Sequence, residues 1–180
     1  ADVEDRLDLV VGDMREIPDT VYDDVDAVVN LGGLSNDPTA EYNPRANAAM
    51  NTQATRTTAE AAIRKGIDRY LFASSCSVYY SVAGSEQDDL LLDEEAKIDP
   101  KAAYSRSKFE AERILLDLSS KHPVFCPVIL RKGTIFGFSK RMRYDLVVNT
   151  FVKDALRVGR ISLHFGGEMW RPLIEVRDAA

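Results

Sequence analysis

The sequence has little from which to build a metal centre or a disulfide framework. It contains two cysteines, Cys76 and Cys126, and no C-x-x-C pair. This scarcity argues against a zinc site or a disulfide scaffold and makes a reducing, cytoplasmic location the expected one. The two histidines, His122 and His164, have no clustered partners and are interpreted as structural or surface residues. We therefore predict no metal site.

The chain also lacks positive net charge and long apolar runs. Its formal net charge of −6 argues against a nucleic-acid surface. No apolar run is long enough to span a membrane, and the acidic first residues do not resemble a signal or transit peptide. There is no internal repeat. The 180 residues, 45% of them hydrophobic, suffice for a domain with a real core. We expect a small-molecule ligand, with no nucleic-acid or membrane partner.

Short apolar runs alternate with helical stretches along the chain. The apolar runs cover residues 6–13, 25–33, 67–75 and 123–133, and each is short and bounded, as is typical of buried parallel strands. The helical stretches cover residues 43–66, 99–122 and 143–160. This alternation predicts βαβ units and an α/β fold with a parallel sheet covered on both faces.

Residues suited to a ligand follow each predicted strand. Parallel strands with right-handed crossovers place ligands at the carboxyl ends of the strands. We therefore expect one ligand crevice at that edge. The residues at the carboxyl ends of the four runs are Asp13, the pair Gly32 and Gly33, the pair Ser74 and Ser75, and the pair Gly133 and Thr134.

A tyrosine and a lysine stand four residues apart in the second helical stretch. On a helix this spacing puts Tyr104 and Lys108 on one face. A neighbouring cation favours the phenolate and makes tyrosine usable as a base. Such pairs also arise by chance on helix surfaces, so the spacing alone leaves both interpretations open.

Several motifs, in order, resemble those of the extended short-chain dehydrogenases/reductases, in the group of NAD-dependent sugar-nucleotide epimerases and dehydratases. They are VVGDMRE, DAVVNLGGLSNDP, FASSCSVYY, YSRSK, ILRKGTIFG and GGEMWRPLIEVRDAA. The resemblance implies a Rossmann-type doubly wound parallel sheet that binds NAD, with NADP also possible. The cofactor-binding residues that it implies are Asp13, Met14, Leu31, Gly32, Gly33, Asn51, Ser74, Tyr104, Lys108 and Thr134.

The resemblance also implies a catalytic set and a substrate set. Ser75, Tyr104 and Lys108 correspond to the residues that carry out hydride transfer at a sugar hydroxyl: Tyr104 as base, Lys108 beside it, and Ser75 orienting the reacting oxygen. Ser77, Asn149 and Arg171 are the implied substrate residues. Arg171 would hold the nucleotide diphosphate.

This chain departs from the family pattern at several positions. Asn30 stands where histidine is usual, Tyr80 replaces a glycine, and Thr134 replaces an asparagine. The glycine-rich G-x-x-G-x-x-G turn is absent, so we expect a fragment of a longer enzyme that lacks the N-terminal glycine-rich unit. We expect residues 1–148 to form the NAD-binding domain and residues 149–180 to begin a small C-terminal substrate lobe.

The choice of reaction stays open among related chemistries. Family dehydratases carry Asp-Glu directly after the catalytic serine or threonine, where this chain has Cys76 and Ser77; neither is a good general acid, which disfavours dehydration. An NAD-dependent epimerase of a nucleotide-diphosphate sugar is the leading interpretation. The alternatives are an NAD(P)-dependent dehydrogenase or reductase of the same fold and a non-catalytic cofactor-binding relative. Family members commonly pair through the tyrosine-bearing helix, so we expect a homodimer.

Overall fold

Two sets of parallel strands organise the fold. The computed structural model describes residues 6–35, 37–79, 91–163, 165–167 and 170–180. In the first sheet, β1 (Ala27–Asn30) lies next to β2 (Arg69–Ser75), which lies next to β3 (Cys126–Lys132). Strands β1 and β2 run parallel, with Ala27 opposite Arg69. The second sheet pairs β4 (Thr134–Phe136) in parallel with β5 (Leu173–Glu175).

Helices fill the stretches between these strands, which confirms the predicted α/β alternation. They are α1 (Asp37–Tyr42), α2 (Pro44–Ala48), α3 (Ala54–Arg64), α4 (Ala103–Lys121), α5 (Val147–Val158) and α6 (Val176–Ala179). A π-helical turn, Ala49–Gln53, joins α2 to α3. Helix α5 lies within the helical stretch predicted over residues 143–160 and ends at Gly159, which adopts the left-handed conformation (φ 69°) that ends many helices.

The described residues form two compact units. The first comprises the described parts of residues 1–73 and 102–130, and the second those of residues 74–101 and 131–180. The division expected between residues 148 and 149 stays a prediction. None of the described helices combines the length and the apolar character that crossing a bilayer requires.

The core of the first unit lies between one sheet face and helices α3 and α4. Tyr70 and Phe72 of β2 pack there with Leu115 of α4 and with Phe125. The Tyr70 hydroxyl accepts a hydrogen bond from Asn30 Nδ2 at 2.8 Å and lies 2.6 Å from Thr58 Oγ1. Burial of the Tyr70 side chain raises the pKa of its phenol to about 12. The asparagine at the position where the family has histidine is therefore part of a buried polar network.

Alternation along the strands leaves the other sheet face more open. Val29 and Val128 are 59% and 49% exposed, whereas Tyr70 and Phe72 are buried. This pattern follows the two-residue period of a strand, in which successive side chains point to opposite faces.

The first apolar run is not a strand, and that prediction was wrong. Residues 7–11 have no regular secondary structure, and Leu9 and Val11 are 80% and 90% exposed. A strand requires a neighbour that satisfies its backbone hydrogen bonds. Among the described residues the run pairs with neither sheet, so an apolar composition alone does not make it a strand.

Candidate active site

Helix α4 carries the predicted tyrosine and lysine in its first two turns. Lys108 is only 4% exposed, and its Nζ donates a hydrogen bond to the carbonyl oxygen of Ala73 at 2.9 Å. The ammonium lies 4.8 Å from the centre of the Phe72 ring and 6.0 Å from the centre of the Tyr104 ring. A buried cation facing a phenol is unlike a solvated surface pair. The same-face placement that the spacing predicts is therefore present, and Lys108 is part of the interior.

Asn51 connects the glycine pair to helix α4. Its side chain is almost fully buried, and its amide bonds both backbone groups of Leu34: Leu34 N–H donates to Oδ1 at 2.7 Å, and Nδ2 donates to Leu34 O at 2.9 Å. The same Nδ2 lies 2.9 Å from Asn47 Oδ1 and 3.0 Å from Ser107 Oγ. Asn51, which the resemblance places among the cofactor-binding residues, therefore ties a loop to a helix through one amide.

The glycine pair forms a turn that side chains would disturb. Gly33 has φ of 120°, which disfavours any residue with a Cβ, and a Cβ placed there would lie 2.2 Å from Asn51 Oδ1. A Cβ at Gly32 would lie 2.1 Å from Met14 Sδ, the end of a flexible side chain. Leu31, beside the pair, is exposed. The turn thus presents bare backbone, as close approach of a ligand to the backbone would require.

Asp13 lies in an exposed turn and pairs with its neighbour Arg15. The Arg15 backbone N–H and Nε both donate to Asp13 Oδ1 at 2.9 Å, and the Arg15 guanidinium also bonds Oδ2. These bonds lower the pKa of the Asp13 carboxyl to about 2. Both carboxylate oxygens are therefore engaged locally.

Ser75 ends strand β2 and caps the short turn that follows. Its Oγ accepts from the Ser77 backbone N–H at 3.2 Å and from Ser77 Oγ at 2.9 Å. A serine hydroxyl has two acceptor sites and one proton. Because Ser75 Oγ is the acceptor in both contacts, its own proton remains available for donation to another group. The two hydrogen bonds from Ser77 therefore determine the direction in which the Ser75 hydroxyl can donate. Ser74, the preceding residue, is buried.

Gly133 separates β3 from β4, and Thr134 is the first residue of β4. The Thr134 backbone N–H donates to Pro172 O at 2.9 Å, and a Cβ at Gly133 would lie 2.8 Å from that same oxygen. Glycine is therefore required at position 133 by close backbone approach. The backbone of Thr134 belongs to the β4–β5 pairing.

Asn149 lies in a cavity of the second unit. Its Oδ1 accepts from Gly137 N–H at 3.2 Å, and its Nδ2 donates to Arg143 O at 3.0 Å. The cavity has a volume of about 210 Å³. Arg141 and Phe136 also line it. The Arg143 guanidinium, at the same cavity, pairs with Asp145 and lowers the pKa of that carboxyl.

Arg171 is exposed and acts electrostatically on the residue after Ser75. Burial raises the pKa of the Cys76 thiol, and the positive charge of Arg171 partly opposes that rise. Arg171 and Ser75 thus belong to the same unit, although almost a hundred positions separate them in the sequence.

Some of the residues discussed in the sequence analysis lie outside the described ranges. Tyr80, His164 and the acidic stretch 81–90 lie outside the described ranges. In those ranges, no three His, Cys, Asp or Glu side chains come together to hold a metal ion.

Sequence reasoning missed Glu41 and Asn47, which both contact Ala103. The four-residue spacing of Asn47 and Asn51, the same signal that marks Tyr104 and Lys108, could have revealed Asn47.

Comparison with known proteins decides the family. Residues 2–180 match the NAD dependent epimerase/dehydratase family. The chain belongs to this family. A UDP-glucose 4-epimerase of Azospirillum brasilense is 32% identical over 133 residues, which are 72% of this chain and 36% of that protein. A low-salt glycan biosynthesis protein of Haloferax volcanii is 26% identical over 94% of this chain and 53% of that protein.

Solved structures share the fold of this epimerase/dehydratase chain. MoeE5, in complex with UDP-glucose and NAD, superposes with a TM-score of 0.82 at 23% identity, covering 94% of this chain and 55% of that one. At this identity the likeness shows the Rossmann-like fold alone. The chain spans about half the length of the Haloferax relative and about a third of the length of the Azospirillum relative.

Proposed function

We propose that the protein to which this chain belongs is an NAD-dependent epimerase that acts on a nucleotide-diphosphate sugar through transient oxidation of a hydroxyl. The buried ammonium of Lys108, held on Ala73 and facing the Tyr104 ring, is the observation that carries this proposal. Burying an ammonium is costly unless it is hydrogen-bonded or paired, and the bond to Ala73 O offsets part of that cost for Lys108. Placed against a phenol, the charge favours ionisation of that phenol.

The described residues fit a dinucleotide. The Gly32–Gly33 turn offers backbone without side chains, and Asn51 holds it in place. Lys108 supplies the positive charge and the donors suited to a ribose hydroxyl. We propose Asp13, Met14, Leu31, Ser74 and Thr134 as further contacts, with Asp13 having to exchange part of its bonding to Arg15 for the ligand. The cofactor, when bound, supplies the hydride acceptor.

Each catalytic residue then has one task. Tyr104, as phenolate, takes the proton of the sugar hydroxyl and later returns it. Lys108 stabilises that phenolate. Ser75 donates its hydroxyl proton to the reacting oxygen, and it is free to do so because Ser75 Oγ accepts, rather than donates, in its hydrogen bond with Ser77 Oγ. Ser77 is also proposed to contact the sugar. Proton transfer between positioned groups contributes about a hundredfold or more to rate.

The nucleotide would bind through residues of the second unit. Asn149 and the arginine-lined cavity beside it suit a polar, negatively charged group, and Arg171 offers a guanidinium suited to a diphosphate. The Azospirillum relative is named as a UDP-glucose 4-epimerase, which supports a sugar-nucleotide substrate. A homodimer and a cytoplasmic location complete the proposal.

One experiment tests this proposal on the intact protein. The Tyr104→Phe variant is compared with the unaltered protein against a panel of UDP-, dTDP- and GDP-sugars, with new sugar products measured by NMR. We expect a loss of at least about a hundredfold in turnover with unchanged thermal unfolding. Tyr42→Phe, at an exposed position of the same unit, is the matched control and should retain full activity. Full turnover by Tyr104→Phe would overturn the proposal.

A reductase is the second candidate, because the same residues would serve it. Retention of NAD through purification favours the epimerase, since the cofactor is then reduced and reoxidised in place. Free exchange with added NADH or NADPH, together with net reduction of a carbonyl compound, favours the reductase. Cofactor binding without any turnover indicates the non-catalytic relative. Dehydration is disfavoured because Cys76 and Ser77 occupy the positions of the family's acidic pair.

A further inference from the structure

Both peptide groups that flank Ala103 are held by side chains from other helices. Ala103 is the first residue of α4, is 6% exposed, and directly precedes Tyr104. Its N–H donates to Glu41 Oε1 at 2.6 Å, and its carbonyl oxygen accepts from Asn47 Nδ2 at 3.0 Å. Glu41 lies in α1 and Asn47 in α2. The second of these bonds is made to the peptide group that joins Ala103 to Tyr104.

The first turn of α4 needs such support. The initial N–H groups of a helix have no partner within it, and Ala102, at the N-cap position, has no side chain that could accept from them. A carboxylate at this end satisfies one donor and is favoured by the helix dipole. Glu41 therefore does from another helix what a capping residue normally does from its own.

We propose that Glu41 and Asn47 are positioning residues that fix the Tyr104 phenol relative to the Lys108 ammonium. Lys108 is anchored one turn further along, on Ala73. Tyr104 lies between the two anchored points, so loosening the Ala103 end changes the distance from phenol to ammonium while Lys108 stays in place. This inference rests on the proposed function.

Asn47 also connects the peptide group between Ala103 and Tyr104 to the glycine turn. Asn47 Oδ1 accepts from Asn51 Nδ2 at 2.9 Å, and Asn51 in turn holds both backbone groups of Leu34. The π-helical turn begins at Ala49, two residues after Asn47, and contains Asn51, and such turns often occur at functional sites. One continuous hydrogen-bond network therefore reaches from the predicted cofactor turn to the backbone of the predicted base.

The test uses Glu41→Ala and Asn47→Ala in the intact protein. We expect kcat to fall between about tenfold and a hundredfold in each, because a small displacement of a reacting group is costly. KM for the sugar nucleotide should stay within about twofold. The pH midpoint of kcat should move to higher pH, since a phenol farther from the ammonium ionises less readily. Glu41→Gln keeps an acceptor oxygen and should retain most of the activity.

A second readout is independent of turnover. The ionisation of Tyr104 is followed by ultraviolet absorbance as pH is raised, as the difference between each protein and the same protein carrying Tyr104→Phe. Glu41→Ala should shift this difference titration in the same direction as the kinetic midpoint. Tyr70→Phe, which removes buried hydrogen bonds of the same unit away from Ala103, controls for lost stability. Glu60→Ala, an exposed glutamate of α3, controls for lost charge.

The outcomes separate this inference from the proposed function. If Glu41→Ala and Asn47→Ala lower the unfolding temperature but leave kcat per folded molecule and both pH midpoints unchanged, the positioning role is wrong. If Asn47→Ala does not fold, Glu41→Ala decides, since the Glu41 side chain lies at the surface. If Tyr104→Phe keeps full turnover, the proposed function fails, and the absorbance titration still shows whether Glu41 and Asn47 position the phenol.

Discussion

Asn51 and Asp13 are both predicted to serve one cofactor, and their surroundings in the first unit differ sharply. Asn51 is buried and bonds three separate segments through one amide. Asp13 sits in an exposed turn, and the described hydrogen bonds of its side chain are to Arg15, two residues away. The part of the predicted site around Asn51 is therefore held in place by buried hydrogen bonds to distant segments. The part around Asp13 is held by hydrogen bonds to a near neighbour, which solvent weakens.

The largest expected effect comes from removing the Asn51 amide. Asn51→Ala leaves the N–H and carbonyl of Leu34 and the side chain of Asn47 without their partner, so we expect a loss of about 3 kcal/mol in the free energy of unfolding. Urea denaturation measures it. Gln53→Ala, at an exposed position of the same π-helical turn, should change little. Equal losses in the two variants would show that helix propensity, not the network, is responsible.

A smaller loss is expected from a methyl group at the glycine turn. Gly33→Ala forces an unfavourable φ and pushes a Cβ against Asn51 Oδ1, at a cost of about 2 kcal/mol. Gly12→Ala is the matched control in the exposed segment, because a Cβ there meets nothing within 4 Å. If both substitutions are tolerated equally in urea denaturation, the turn is not as tightly held as the contacts indicate.

The smallest effect is expected at Asp13 and concerns pH more than stability. Arg15→Gln should raise the pKa of the Asp13 carboxyl from about 2 toward its usual range, as followed by NMR of the side-chain carboxyl. A depressed carboxyl pKa contributes stability above the ordinary pKa, and that contribution disappears as pH falls toward 2. At neutral pH that contribution is fully present, so Arg15→Gln should lower the free energy of unfolding, but only slightly, because solvent screens exposed ion pairs. A large loss of stability in Arg15→Gln at neutral pH would contradict the difference that we infer between the surroundings of Asp13 and those of Asn51.

The sequence predicted the elements of the fold better than the surroundings of its residues. Three of the four apolar runs contain strands, and the three long helical stretches contain helices, because their patterns are long and bounded. Residues 6–13 show the limit of this reasoning. The run has the composition of a β-strand, but a strand forms only where a neighbouring strand can hydrogen-bond to it. The sequence of the run does not show whether such a neighbouring strand is present.

The candidate site divides in the same way. The four-residue spacing of Tyr104 and Lys108 predicted a shared face, which the structure shows, but not the burial of the ammonium or its bond to Ala73. The capping of the turn after β2 by Ser75 and the pairing of Asp13 with Arg15 are local contacts between residues two apart. The contacts of Glu41 and Asn47 with Ala103 join residues about sixty positions apart. The spacing of Asn47 and Asn51 marks Asn47 itself, but no local pattern shows that either residue contacts Ala103.

By itself, the sequence determined what depends on neighbours along the chain: the helices and most strands, the spacing of Tyr104 and Lys108, and the motifs that place the chain in its family. Tertiary structure alone decided which of these residues are removed from water and what they meet there. Burial is a property of segments packing together. The Lys108 ammonium is therefore buried only once α4 packs on β2, and Ala103 is held only once α1 and α2 pack on α4.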